Sequence, residues 1–255
     1  MEKKLLSFNH SKSMYTVIGN QKARKKISDQ LELNPLMLSG SKMNCANTLK
    51  YLGDYLSSSL AESVKVTVNK RIGIACHSVF EIRSLIDDKR ADAIGGMSLA
   101  FLVCEMAVIP SLLHNAETWI GVNKNTLKEL EKLQLKYLCV SLAVGTGCPI
   151  PLLYPQSGTL TMTNRVIMKK MLFLFHVASL PRGTLARDLY ESQLEHEQGL
   201  PSLVAECKPL LREFGIKDVR DYSKYQFKKL IKRKIHERNK SELIEMSRKY
   251  KKIEF

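Results

Sequence analysis

Asp87-Asp88 is the one adjacent pair of carboxylates in the 255 residues that falls outside ordinary helix surfaces. Two-metal phosphoryl transfer needs converging carboxylates, because each cation must be held by oxygen ligands against the reacting phosphate. This pair follows Ser84-Leu85-Ile86 in helical periodicity and precedes Lys89-Arg90. The spacing therefore predicts a helix end balanced by nearby cations, not a metal site. Gly145-Thr146-Gly147 is followed by Cys148-Pro149 with no Gly-Lys-Ser/Thr, so it reads as a turn and not as a phosphate loop. No GxSxG sequence occurs, and no histidine stands in a recognisable general-base context. The cysteines Cys45, Cys76, Cys104, Cys139, Cys148 and Cys207 form no CxxC pair and lie apart from the histidines, which points to buried free thiols instead of a zinc module. No cofactor, metal or small-molecule substrate is expected.

The charge is the more informative chemistry. Of the net +15, residues 1 to 50 contribute 9 Lys/Arg against 3 Asp/Glu, residues 51 to 216 contribute 17 against 16, and residues 217 to 255 contribute 14 against 6. Positive charge gathered at the two ends is the footprint of a polyanion partner, since each neutralised phosphate releases counterions. A solvated helical face would show the same composition, so both readings stand at this level. Lys228, Lys229, Lys232, Arg233 and Lys234 crowd one short stretch of the basic tail, where Phe227, Leu230, Ile231 and Ile235 share an apolar face.

The elements that must position these residues change character along the chain. Met14 to Ile18, Leu36 to Leu38 and Leu49 to Leu56 read as strands, and Gln21 to Leu31 as a helix, giving a small sheet with one helix. After Ser59, helix starts recur. Ser59 with Glu62, Thr126 with Glu129, and Ser223 with Gln226 each fit the capping box, in which two side chains satisfy each other's backbone donors. Leu127, Leu130, Leu133, Tyr137 and Leu138 make one apolar stripe, with Lys128, Glu129, Glu131, Lys132 and Lys136 mostly off it. Val166, Ile167, Met171, Leu174 and Phe175 make another, and Leu172 and Phe173 are expected to add core contacts. Pro149, Pro151 and Pro155 predict a loop or boundary over 145–160. The run from Met97 to Pro110, broken by Glu105, is too short to cross a bilayer of about 30 Å and reads as a buried helix. The opening Met-Glu-Lys-Lys lacks a secretory signal's apolar stretch, so the chain is expected inside the cell, the nucleus included, without a membrane partner.

Three fragments in order carry a resemblance. Asn9-His10-Ser11-Lys12-Ser13 before a β-prone run, Lys50-Tyr51-Leu52-Gly53, and Pro110-Ser111-Leu112-Leu113 with Glu117-Thr118-Trp119 resemble successive segments of non-LTR retrotransposon reverse transcriptases. These are the Asn-x-x-Lys-Ser/Thr segment after the catalytic aspartates, the aromatic-Leu-Gly hairpin called the primer grip, and the Pro-x-Leu-Leu…Glu-Thr-Trp stretch behind the palm. The helix holding Leu130-Glu131-Lys132-Leu133-Gln134 takes its expected place after them. The resemblance covers residues 5 to 180 and is less sharp over 181 to 255.

The resemblance implies an α+β, mainly α fold. A small palm-remnant sheet over 1–58 would be followed by a helical thumb-like region over 59–216 and a basic helical extension over 217–255. Lys12 would correspond to the lysine that protonates leaving pyrophosphate. Tyr51, Leu52 and Gly53 would form the hairpin that positions a primer backbone, with Lys50 beside it. Asp54 departs from the pattern, since an apolar residue is usual there. The family's metal-holding aspartates lie upstream of the Asn-x-x-Lys segment, so no polymerase activity is expected from this chain, and Mg²⁺ would serve only a complete parent enzyme. The expected partner is RNA or DNA, held at Lys12, Lys50, Tyr51, Gly53, Lys228, Lys229, Lys232 and Arg233. The alternative is a helical scaffold or protein-interaction module without nucleic-acid function.

Overall fold

The computed structural model describes residues 13–38, 40–87, 96–142, 144–145, 147–195 and 201–250. The chain is mainly α with β structure near its N-terminus, and it divides into two compact units, Met1–Asn69 and Lys70–Phe255.

In the first unit the expected single sheet is replaced, among the described residues, by separate two-stranded ladders. β1 (Met14–Tyr15) runs parallel to β4 (Asn44–Cys45). β2 (Met37–Leu38) and β3 (Ser41–Lys42) pair antiparallel. The 49–56 segment, a strand by its residue pattern and a hairpin by the resemblance, is the hairpin β5 (Leu49–Tyr51) and β6 (Asp54–Leu56), in the register Leu49↔Leu56 and Tyr51↔Asp54. Leu52 (φ 48°) and Gly53 (φ 87°) form its turn. Two consecutive positive φ values give the type I′ geometry that matches the strand twist, and glycine adopts it freely. α1 (Gln21–Leu33) begins where expected, with the Asn20 side chain accepting the Ala23 N–H at 2.8 Å, but it buries no residue.

The interior of this unit is polar to an unusual degree. Ser63 and Thr67 lie one helical turn apart on α2 (Leu60–Asp87) and are buried beside Val64 and Val68. Their hydroxyls accept the backbone N–H groups of Ser57 and Tyr55, each at 2.8 Å, so the helix face satisfies one donor of β6 and the one that follows the strand. Asp87 ends α2; Asp88 lies outside the described residues.

The second unit is built from helices. The run that was expected as one buried helix is α3 (Gly96–Val103), a π turn (Cys104–Val108) and α4 (Ile109–Leu112) in direct succession. Pro110 explains the widened turn: it offers no N–H to Met106, and its ring crowds that carbonyl, so the backbone before it relaxes to a longer-range bond, Ile109 N–H to Cys104 C=O. The run is also less buried than expected, because Leu99, Leu102 and Met106 are exposed. Trp119 is buried beneath the Arg71 guanidinium, 5.7 Å from its ring centroid, and Arg71 donates to the His114 carbonyl.

α5 (Lys124–Ser141) starts before the expected capping box: Asn123, not Thr126, caps it, accepting the Thr126 N–H at 2.8 Å. Its stripe of Leu130, Leu133, Tyr137 and Leu138 is buried as the periodicity requires. The proline-rich stretch is not a loop throughout, since α6 (Ile150–Ser157) forms within it. Pro149 and Pro151 sit at the helix start, where no N–H is needed, and Gly158 (φ 65°) ends it. α7 (Met162–Ala178), α8 (Leu185–Glu195), α9 (Leu203–Glu213) and α10 (Lys224–Tyr250) complete the unit.

One hydrophobic core joins α7, α9 and α10 through Met171, Leu174, Val204, Cys207, Phe227, Ile231 and Ile235, with Leu172, Phe173 and Phe175 packed against it. Phe175 and Phe227 stack with centroids 4.7 Å apart. The segment expected as a basic extension is thus a wall of this core, each buried Phe or Ile contributing roughly 1.5–3 kcal/mol. No helix among the described residues is long and apolar enough to cross a membrane.

Candidate nucleic-acid interface

α10 presents two faces because its apolar residues recur at helical spacing. Phe227, Ile231, Ile235, Asn239 and Leu243 point inward, and Lys228, Lys229, Lys232, Arg233, His236 and Lys240 are exposed on the other side. The predicted capping box forms reciprocally: Gln226 N–H donates to Ser223 Oγ at 3.3 Å, and Ser223 N–H donates to Gln226 Oε1 at 3.0 Å. Glu237 draws on Lys234 at 3.6 Å and Arg233 at 3.8 Å. Arg238 turns instead toward Glu213 and Glu242, at 2.6 and 3.0 Å. Lys228, Lys229 and Lys232 have no ion-pair partner among the described residues. A rigid helix anchored in the core therefore holds several uncompensated cations toward solvent, an arrangement that can bind phosphates without reading bases.

The other predicted contacts lie in the first unit. The hairpin tip exposes Tyr51 and Leu52, at 60% and 73%, so neither packs in a core, and Lys50 is exposed beside them. Gly53 occupies the turn. Lys12 lies outside the described residues. The structure thus gathers Lys50, Tyr51 and Gly53 on one hairpin and Lys228, Lys229, Lys232 and Arg233 on one helix.

Periodicity missed a polar network inside the second unit. Glu105, on the π turn, accepts from the Tyr137 hydroxyl and from Arg165 at 2.7 Å. Arg165 Nε and Gln134 also donate to the Leu160 carbonyl, at 3.1 and 2.8 Å. Glu131, grouped by sequence with the surface charges of α5, accepts the Met162 N–H at the start of α7 at 2.8 Å. Burial pushes its carboxyl up to about 7; the Met162 bond and Arg165 oppose this, and Glu242 adds to it. Asn239 accepts from the Thr161 backbone and the Asn164 side chain, both at 3.0 Å, and Asn164 donates to Glu242 at 2.8 Å. Single polar residues interrupting apolar stripes, Gln134 and Asn164 among them, were the available signal. This network ties α5, α7 and α10 together.

All six cysteines are free, but only Cys104, Cys139 and Cys207 are buried; Cys45 and Cys76 are exposed. Burial raises the Cys104 thiol to about 11 and the Cys207 thiol to about 12, which leaves both inert as nucleophiles. Among the described residues no group of acidic, histidine or cysteine side chains could hold a metal ion. Comparison with protein-family models, curated proteins and solved structures gives no match for this chain.

Proposed function

We propose that this chain is reverse-transcriptase-like and holds template and primer by phosphate contacts. The observation that carries the reading is the face of α10, where Lys228, Lys229 and Lys232 stand exposed without ion-pair partners among the described residues. The ordered fragments at Lys12, Tyr51-Leu52-Gly53 and Pro110 to Trp119 supply the family. Replacing Lys228, Lys229 and Lys232 together by Gln should weaken binding to an RNA/DNA hybrid uniformly across sequences. The slope of log affinity against log salt should shrink by roughly one for each contacting cation removed. An unchanged affinity and slope would leave the helix a solubilising surface.

A second reading has its own observation. Ile74, Leu99, Leu102 and Met106 are exposed large apolar residues on the helices of the second unit, as a protein-interaction module would require. Salt-insensitive association with a protein, together with no hybrid binding, would favour it.

A further inference from the structure

α10 carries its exposed cations toward a groove. Lys229, Arg233, His236 and Lys240 follow one another at steps of four, three and four residues, with Lys232 beside Arg233, a continuous stripe along one side of the helix. From Lys229 to Lys240 the stripe extends about 16 Å at 1.5 Å per residue. That is about five nucleotides of one strand at 3.4 Å each. At His236 and Lys240 the stripe borders a groove of about 540 Å³ between α6 and α10, inside the range of roughly 300–1,000 Å³ typical of ligand sites.

The groove combines flat apolar contact with positive charge. Pro155 on α6 and Ile244 on α10 are exposed, while Leu160, Leu243 and Tyr154 are buried. His236 and Lys240 supply the basic side, and no carboxylate among the described residues lines the groove. The His236 Nδ1–H donates to the Lys232 carbonyl at 2.8 Å, which fixes the ring and leaves Nε2 uncommitted. An unpaired base needs an apolar or ring surface to replace its lost stacking, and its phosphate needs a cation; both are present together here.

The geometry points to this groove as a subsite for the unstacked terminal nucleotide of a strand whose phosphates follow α10. The assignment rests on the nucleic-acid reading above and names what that reading leaves open, a strand end as the feature recognised. The exposed apolar contacts are aliphatic, Pro155 and Ile244, so the expected gain lies at the lower end of the roughly 5- to 150-fold that base–aromatic stacking contributes.

The test compares the full chain's binding to a blunt RNA/DNA hybrid with its binding to the same hybrid bearing a single-stranded overhang of three nucleotides, in DNA or in RNA. The overhang should improve affinity by roughly 5-fold or more. Ser247 also lines the groove; Ser247→Leu, which narrows it without changing charge, should abolish that preference and leave blunt-hybrid affinity and its salt slope intact, and Ile244→Gln should weaken the preference in the same way. Circular dichroism of both variants checks that the helices remain. Salt-dependent binding with no overhang preference, or a preference that survives both folded variants, overturns the subsite while leaving the phosphate contacts standing. No binding to either hybrid overturns both.

Discussion

The hairpin region and the α7–α9–α10 core stabilise themselves in opposite ways. In the first unit the described strands are two or three residues long, α1 buries nothing, and the Tyr55 and Ser57 N–H groups are satisfied by Thr67 and Ser63 hydroxyls. In the second, Phe227, Ile231 and Ile235 are fully buried against Met171 and Leu174. Hydrogen bonds contribute only about 0.5–1.5 kcal/mol net, whereas apolar burial accumulates residue by residue. The first region is accordingly the one expected to open locally, and the second the one that sets global stability. The candidate contacts divide along the same line: Lys50 and Tyr51 on a thinly supported hairpin, Lys228, Lys229 and Lys232 on a helix the core cannot lose.

The largest effect should separate the two directly. Ile231→Ala should cost about 2–5 kcal/mol in urea unfolding, and truncation after Asp221 should remove the helical signal of the second unit along with its hybrid binding. Ile27→Ala on exposed α1 should change stability by less than about 0.5 kcal/mol. Equal losses for Ile27→Ala and Ile231→Ala would erase the contrast.

Glu131 gives the next effect. Its folded value of about 7 lies above the ordinary 4.5, so between these values the folded chain retains a proton that the unfolded chain releases. Stability should therefore fall as pH rises through that window, by on the order of 3 kcal/mol in all. Glu131→Gln should flatten the thermal midpoint between pH 5 and pH 8 and raise it at pH 8. A profile as steep as that of the unaltered chain would place the titration on another group.

The smallest effect concerns the hairpin. Leu52 holds φ 48°, which a branched side chain tolerates poorly, and Leu52→Asn creates the Asn-Gly pair that a type I′ turn prefers. Slower amide exchange across β5 and β6, corresponding to about 1 kcal/mol, is the expected result. Unchanged exchange would mean that the turn does not limit opening of the first unit.

The amino-acid sequence by itself determined the local elements. Helical periodicity placed Leu130, Leu133 and Tyr137 inward, and the Ser223-Gln226 pair marked the start of α10, because both depend on residues within one or two turns. It also marked the cationic stretch at Lys228 to Lys234. Tertiary structure decided the rest. It settled which of several local options was taken, Asn123 rather than Thr126 as a cap and a helix across Pro151 and Pro155. The burial of Glu131 and the Glu105–Tyr137–Arg165 and Asn164–Asn239–Glu242 contacts join residues that are far apart in the chain. No local pattern encodes which carboxylate loses its water, because desolvation depends on what other helices place around it.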